Sequence, residues 1–130
     1  MIVDSSVIVA IVRKERDGRS LAEAIDRDES PRLSAASFLE VAIVVDSRRD
    51  PSVSRRLDAF LDSSRIIIEP VTERQARIAR EAYRDYGKGS GHPANLNFGD
   101  CFAYALARDL GEPLLFKGDD FRHTDIRAAI

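Results

Sequence analysis

Cysteine, histidine and tryptophan are scarce in this chain of 130 residues, which has one cysteine, two histidines and no tryptophan. A lone cysteine, Cys101, excludes an internal disulfide and is typical of a protein kept in the reducing cytoplasm. The two histidines, His92 and His123, both lie in predicted loops. The sequence therefore argues against disulfide-stapled scaffolds and against a histidine-rich zinc site.

Long hydrophobic runs and a strong charge imbalance are also missing. The opening apolar stretch, Met1–Val12, is interrupted by Asp4 and is too short to span a bilayer. It has neither the basic start nor the cleavage site of a signal peptide. With 44% hydrophobic and 32% charged residues, we expect residues 1–130 to form a single domain with no membrane contact. The net charge of −2 gives no general attraction to polyanions, so nucleic-acid binding would depend on local patches.

Predicted strands and helices alternate along the chain. Short apolar runs at Met1–Val3, Ile66–Ile68 and Leu114–Phe116 predict strands. Residues suited to begin helices precede the segments between them: Asp17, Ser34, Asp50 before Pro51, Thr72 and Asp100. This order predicts an α/β fold in which a mainly parallel sheet lies between layers of helices. The tail, residues 121–130, is compatible with either a short helix or an edge strand.

Four carboxylates stand beside predicted core segments. Asp4 follows the first strand, and Asp119 follows the last; Glu40 lies inside an apolar helix, and Asp100 opens another. Since ligands of parallel α/β sheets bind beyond the carboxyl ends of the strands, we expect the four to converge there. Two carboxylates about 5 Å apart repel by roughly 3 kcal/mol at an effective dielectric near 20, and a divalent cation offsets this. Oxygen ligands favour Mg²⁺ or Mn²⁺ over zinc, so the pattern indicates a metal-dependent phosphodiesterase.

Each acid taken singly has a simpler explanation. Asp4 and Asp100 can be helix caps, and Asp119 can be a turn residue. Glu40 has the spacing of a capping box with Ser37, although that box would leave two good helix formers outside the helix. Four unrelated explanations are needed where one metal site accounts for all the acids.

Other catalytic patterns fit less well. The glycine-rich segment 87–91 has the wrong spacing for a phosphate-binding loop and follows a helix, which favours a flexible loop whose Lys88 could contact a phosphate. Cys101 has no histidine placed to act as its base, which favours a core position. A haloacid-dehalogenase-like phosphatase needs a second aspartate two residues after Asp4, where Ser6 stands.

Several motifs occur in a particular order along the chain: residues 1–6, Glu40 in its apolar helix, residues 86–89, 97–101, 117–121 and 124–126. In this order and at this chain length they resemble the PIN-domain family, and more narrowly the VapC toxins of VapBC toxin–antitoxin pairs. The resemblance covers nearly the whole chain. It implies a three-layer α/β/α fold and an endoribonuclease that depends on Mg²⁺, with Mn²⁺ able to substitute. It also implies a homodimer and a cognate VapB-type antitoxin that blocks the site.

Transferred to this sequence, the resemblance gives an acidic quartet of Asp4, Glu40, Asp100 and one of Asp119 or Asp120. Asp119 is the better match for the fourth acid because it stands where that acid follows the strand, while Asp120 stays open as the alternative. Asp4 and Asp100 would be the most direct metal ligands, and Glu40 would hold the metal through water or orient the attacking water. Ser6 would support the site by binding a carboxylate or water.

The resemblance also implies how the reaction proceeds, and it leaves one alternative function open. Metal-assisted hydrolysis does not need the ribose hydroxyl as nucleophile and should leave a 5′-phosphate. Transfer RNA or ribosomal RNA would suit the family as substrate, and no residue selects between them. The alternative is a non-catalytic PIN-like module that sequesters RNA or a protein. For the dimer surface, the first helices and the face that carries Val53 and Phe60 are the candidates.

Overall fold

A computed structural model describes every residue from Met1 to Ile130, and its centre is a four-stranded parallel sheet. The strands are β1 (Ile2–Val3), β2 (Arg32–Ser34), β3 (Ile67–Glu69) and β4 (Leu114–Leu115), in the order β3-β2-β1-β4. Strand β2 is absent from the sequence-based prediction. Its three residues are too few to show a periodic pattern, and pairing with β1 and β3 is what makes them a strand.

Six α-helices pack around the sheet. They are α1 (Ser5–Val12), α2 (Gly18–Arg27), α3 (Ala35–Asp46), α4 (Pro51–Ser63), α5 (Glu73–Tyr86) and α6 (Phe98–Leu110). Helix α3 begins at Ala35, and the Ser34 side chain accepts a hydrogen bond from the main chain of its first turn. This start excludes the capping box between Ser37 and Glu40, because Glu40 already lies in the second turn. None of the six helices combines the length and apolar character needed to cross a bilayer.

Neighbouring strand residues face opposite sides of the sheet and so divide the core in two. Ile2 and Leu114 pack with α5 and α6, while Val3 and Leu115 pack with the side formed by α1 to α4. Side chains alternate along a strand, so even two-residue strands contribute to both halves. This arrangement confirms the predicted three-layer α/β/α fold with a parallel central sheet.

Strand β3 forms an open edge of the sheet. It begins one residue later than predicted, and Ile67 and Ile68 are 44% and 45% exposed. At the other edge, the tail forms the short helix of the two predicted alternatives and only a single bridge in place of an edge strand. A 3₁₀ turn covers Asp120–His123, and Ala128 then forms a parallel bridge with Leu114.

The predicted dimer face on α4 stays a prediction, but the fold already covers part of it. Val53 and Phe60 are partly buried and pack against the core between α1 and α4. Their helical spacing therefore results from packing within the fold, whereas the large apolar side chains that stay exposed lie on other elements, α3 and β3 among them.

Candidate active site

Acids from three different elements lie close enough at the carboxyl end of β1 for their charges to interact. Asp4 directly follows β1, Glu40 lies in the second turn of α3, and Asp100 lies in the first turn of α6. The negative charge of Glu40 helps to raise the pKa of Asp4, and both of these charges help to raise the pKa of Asp100. The fold thus brings together three of the predicted site residues.

Asp4 is buried and only half satisfied by hydrogen bonds. Its Oδ2 accepts from the Ser6 main-chain N–H at 3.0 Å and from the Ser6 hydroxyl at 2.5 Å. Its Oδ1 is buried and has no hydrogen-bond partner. Burial is the main cause that raises the pKa of Asp4, with a smaller contribution from Glu40, while the bonds from Ser6 oppose it. The capping explanation therefore holds for one carboxylate oxygen and leaves the other free.

Ser6 connects the first strand to the segment after the last one. Besides donating to Asp4, its Oγ accepts a hydrogen bond of 3.1 Å from the main-chain N–H of Lys117. The Lys117 ammonium forms ion pairs with Glu15 and Asp17. Lys117 therefore supports the site through its main chain, and its charge is engaged by the loop between α1 and α2.

Asp100 is held by a capping box at the start of α6. The Asn97 N–H donates to Asp100 Oδ2 at 2.9 Å, and the Asp100 N–H donates to Asn97 Oδ1 at 2.9 Å. No hydrogen bond reaches Oδ1. Burial, followed by the charges of Asp4, Asp120 and Glu40, raises the pKa of Asp100 to about 7, against the opposing bond from Asn97. Helix α6 thus begins at Phe98. Asp100 is its third residue and completes the capping box with Asn97.

Glu40 reaches across from α3 to the start of α6. Its Oε1 accepts a hydrogen bond of 2.5 Å from the Ser5 hydroxyl, and its Oε2 lies against Gly99. A Cβ added to Gly99 would stand 1.7 Å from that oxygen, so only glycine allows this approach. The carboxylate therefore sits beside the positive end of the α6 dipole, a few ångströms from the helix that carries Asp100.

The two candidates for the fourth acid differ in their surroundings. Asp119 is 84% exposed and lies 3.5 Å from the guanidinium of Arg122. Asp120 contributes to the raised pKa of Asp100, whereas Asp119 does not. Both follow Gly118, whose φ of 97° turns the chain after β4. Of the two acids, Asp120 is thus the one whose charge acts on Asp100.

The donor set fits a hard divalent cation. Three carboxylate oxygens, Asp4 Oδ1, Asp100 Oδ1 and Glu40 Oε2, have no hydrogen-bond donor, while the other oxygen of each is fixed by Ser6, Asn97 or Ser5. Nowhere do three His, Cys, Asp or Glu side chains stand close enough together to hold an ion by themselves. Mg²⁺ keeps several waters and needs only one or two carboxylates, so this looser grouping suits it.

Three supporting residues lay outside the sequence-based prediction of the site. Ser5 binds Glu40, Asn97 binds Asp100, and Gly99 makes room for the Glu40 carboxylate. The spacing of Asn97 and Asp100 is that of a capping box and was available from the sequence. The contacts of Ser5 and Gly99 had no local signal, because their partner is far away along the chain.

Cys101 is a core residue, as predicted. It is buried, and its thiol donates to the main-chain oxygen of Asn97 at 3.3 Å. Burial, with a smaller contribution from the charge of Asp100, raises the pKa of the thiol to about 11. The group stays protonated at neutral pH, which excludes it as a nucleophile.

Fold and site together define a small α/β protein whose carboxylates converge at the end of a parallel sheet. The chain belongs to the PIN-domain family, whose sequence profile matches residues 1–127. Within that family it is of the VapC type. It is 58% identical over its whole length to Ribonuclease VapC28 of Mycobacterium tuberculosis, covering 98% of that protein.

Two further comparisons agree. Ribonuclease VapC42 of Mycobacterium tuberculosis is 54% identical over 99% of this chain, which spans 98% of that protein. The crystal structure of Mycobacterium tuberculosis VapC20, a sarcin–ricin loop cleaving toxin, superposes with a TM-score of 0.77. That likeness covers 96% of this chain and 95% of VapC20 at 16% sequence identity, and it supports the fold alone.

Proposed function

We propose that this VapC-type toxin is a metal-dependent endoribonuclease and that Asp4, Glu40 and Asp100 form its active site. The observation that supports the proposal is that each of the three carboxylates has one oxygen held by a hydrogen bond and one oxygen with no hydrogen-bond donor. Such a cluster is electrostatically unfavourable without a cation, as the raised pKa of Asp100 indicates. A Mg²⁺ or Mn²⁺ ion there would activate water as the nucleophile and offset charge on the phosphate.

The protein's own residues would position the reacting groups. Ser6 and Asn97 each fix one oxygen of a carboxylate, so that the other oxygen of Asp4 and of Asp100 would be available to hold the ion. The free oxygen of Glu40 can accept a hydrogen bond from the attacking water and orient it toward phosphorus. Attack by water leaves a 5′-phosphate and does not require the ribose hydroxyl.

The first test is cleavage of total cellular RNA by purified, antitoxin-free protein in Mn²⁺ or in EDTA. We expect discrete fragments with 5′-phosphate ends in Mn²⁺ and intact RNA in EDTA, because the acids alone cannot stabilise the charge on the phosphate. Cyclic-phosphate ends would contradict the mechanism. Intact RNA under every condition, from protein shown to be folded, would favour the alternative of a non-catalytic PIN-like module.

The same RNA-cleavage assay tests whether Asp119 or Asp120 is the fourth acid of the site. We propose Asp120 for this role in place of Asp119, since only Asp120 acts on the pKa of Asp100. Replacement of Asp120 by Asn should slow cleavage by about ten- to a hundredfold, the cost typical of losing an outer partner of a metal site. Replacement of Asp119 by Asn is the matched control and should leave the rate unchanged. The reverse ranking would return the role to Asp119.

Metal affinity should depend on pH through Asp100. Its pKa of about 7 lies above the ordinary 3.8, so the proton competes with the cation below neutrality. We expect the affinity for Mn²⁺ to fall about tenfold per pH unit below 7 and to level off above 8. Calorimetric titration at pH 6 and pH 8 measures this. Equal affinities at both values would contradict a ligand that titrates near pH 7.

The apo protein should show the opposite pH trend in stability. The pKa of Asp100 is higher in the folded state than in the unfolded state, so ionisation of Asp100 opposes folding. The free energy of unfolding should therefore fall as the pH rises from about 4 to about 7. Added Mn²⁺ should remove this loss by binding the ionised form. The rise in melting temperature caused by Mn²⁺ should therefore be larger at pH 8 than at pH 6.

The partners follow from the family. We propose that the substrate is transfer RNA or ribosomal RNA, that a cognate VapB-type antitoxin covers the acidic site, and that the protein acts in the cytoplasm. The relatives named ribonucleases support an RNA substrate. Co-purification with the product of a small neighbouring gene, and loss of cleavage in that complex, would test the antitoxin.

We also propose that the protein is a homodimer that uses the open side of α3 and β3. Leu39 and Ile43, one turn apart on α3, are 57% and 59% exposed, and Ile67 and Ile68 of the sheet edge are exposed as well. An uncovered apolar edge strand favours association. Light scattering should give twice the chain mass, and replacing Ile43 by Arg should give the single mass. A monomer in both cases would exclude this interface.

A further inference from the structure

An apolar groove opens between α5 and α6 and extends to the first residue of α6. Its walls are Ala76, Ala79, Tyr83, Phe98 and Phe102, and its volume is about 260 Å³, which is room enough for a nucleobase. Phe98 is the first residue of α6 and stands two positions before Asp100. The groove therefore reaches the same helix end that carries a proposed metal ligand.

Phe98 is unusual among the apolar side chains of the protein. It is 79% exposed, more than any other large hydrophobic residue. Its ring meets that of Phe102 nearly at a right angle, with the ring centroids 5.0 Å apart, so the exposed ring is held in place. Packing of the core does not require Phe98, because most of its surface contacts solvent.

Two basic side chains that form no ion pair flank this groove. Three of the four arginines of α5 make ion pairs with acids, whereas Arg80, which borders the groove, makes none. At the other end, the Tyr83 hydroxyl donates to the main-chain oxygen of Lys88 at 3.1 Å, and the Lys88 ammonium makes no ion pair. Basic side chains beside a fixed aromatic ring are the combination that proteins use to bind single-stranded RNA.

We propose that this groove seats one base of the substrate RNA next to the scissile phosphate. The base stacks on Phe98, and the backbone phosphates of that nucleotide and its neighbour meet Arg80 and Lys88. Phe98 then binds the substrate directly and holds one of its bases in place near the cut. The inference rests on the proposed ribonuclease function and adds the part of the substrate that this surface recognises.

The test uses the oligoribonucleotide that spans the cut site mapped with total RNA. Each base near the cut is replaced in turn by an abasic nucleotide, and binding is measured by fluorescence anisotropy in the Asp100→Asn background. We expect one abasic position to weaken binding by about five- to a hundredfold, the range of one base–aromatic stack. Replacement of Phe98 by Ala should weaken binding of the intact RNA by a similar factor and make that position insensitive.

Matched variants separate stacking from general effects. Phe98→Tyr should restore the sensitivity, since tyrosine stacks equally well. Leu110→Ala removes another exposed apolar side chain at the far end of α6 and should change nothing. Arg80→Ala should weaken binding about equally at every abasic position, whereas Arg77→Ala, whose guanidinium already pairs with Glu73, should not. The melting temperature of Phe98→Ala should match the wild type.

Each other outcome counts against the proposal. If Phe98→Ala shows the same abasic sensitivity as the wild type, the base does not stack on Phe98. If Phe98→Ala binds and cleaves RNA normally but no longer binds the antitoxin, the groove is a protein-docking site. If the wild-type protein cuts no RNA and binds none, the ribonuclease function itself fails, which the first cleavage assay distinguishes.

Discussion

Replacement of Asp100 by Asn is expected to abolish RNA cleavage while leaving the protein folded and more heat-stable at pH 8. The carboxylate is a proposed ligand of the cation, whose stabilisation of phosphate charge is worth several kcal/mol, or about a thousandfold or more in rate. The capping box survives, because the amide oxygen of Asn can accept the hydrogen bond that Asp100 now takes from the Asn97 N–H.

The gain in stability follows from the pKa of Asp100. At pH 8 the group is ionised in the folded state, although burial and the charges of Asp4, Asp120 and Glu40 oppose this. A neutral side chain removes that unfavourable charge, so the variant should melt at a higher temperature than the metal-free wild type. At pH 5 the wild-type group is protonated, and the difference should shrink.

A matched control lies on the same helix. Asp109 pairs with Arg74 at the far end of α6, so Asp109→Asn changes the same charge without touching the site. It should cleave RNA at the wild-type rate. Cleavage by Asp100→Asn at a wild-type, metal-dependent rate would remove Asp100 from the active site and with it the mechanism proposed above.

Replacement of Gly99 by Ala is expected to lower cleavage about a hundredfold with little loss of stability. The new Cβ would stand 1.7 Å from Glu40 Oε2, so the flexible Glu40 side chain must swing away. Misplacement of a catalytic group by about 1 Å can cost about a hundredfold in rate. Since Gly99 lies within α6, alanine also favours the helix by roughly 0.5–1 kcal/mol, which offsets the local strain.

A double-mutant cycle with Glu40→Gln shows whether Glu40 carries this effect. If Gly99→Ala acts by displacing Glu40, it should slow a Glu40→Gln enzyme far less than it slows the wild type. Fully additive losses would instead mean that the methyl group disturbs Asp100 or the start of α6. Cleavage rates of the four proteins, with melting temperatures as the check on folding, complete the cycle.

The fold was predictable where local chemistry alone decides structure. Asp50 followed by Pro51 begins α4 as predicted, and the apolar runs at the two chain ends form β1 and β4. Strand β2 was missed because three residues carry no periodicity. The sequence also gave no sign that β3, its most β-branched segment, is an exposed edge, since strand order depends on pairing across the sheet.

The acidic residues of the candidate site could be predicted from the sequence, whereas the contacts that position them could not. Asp4, Glu40 and Asp100 stand out because carboxylates beside core segments are costly without a partner. Their supporting contacts are long-range: the hydroxyl of Ser5 reaches Glu40, and the main chain of Lys117 reaches Ser6. Contacts between residues far apart along the chain leave no pattern in the residues near either partner.

By itself the sequence predicted all six helices and three of the four strands, and it singled out Asp4, Glu40 and Asp100 as candidate ligands of a cation, because helix caps, apolar periodicity and carboxylates beside apolar segments are local properties. The tertiary structure alone decided that Gly99 makes room for Glu40, that the charge of Asp120 acts on Asp100, and where the groove beside Phe98 opens. Each of these depends on distances between separate elements, which are set only when the sheet pairs and the helices pack against it.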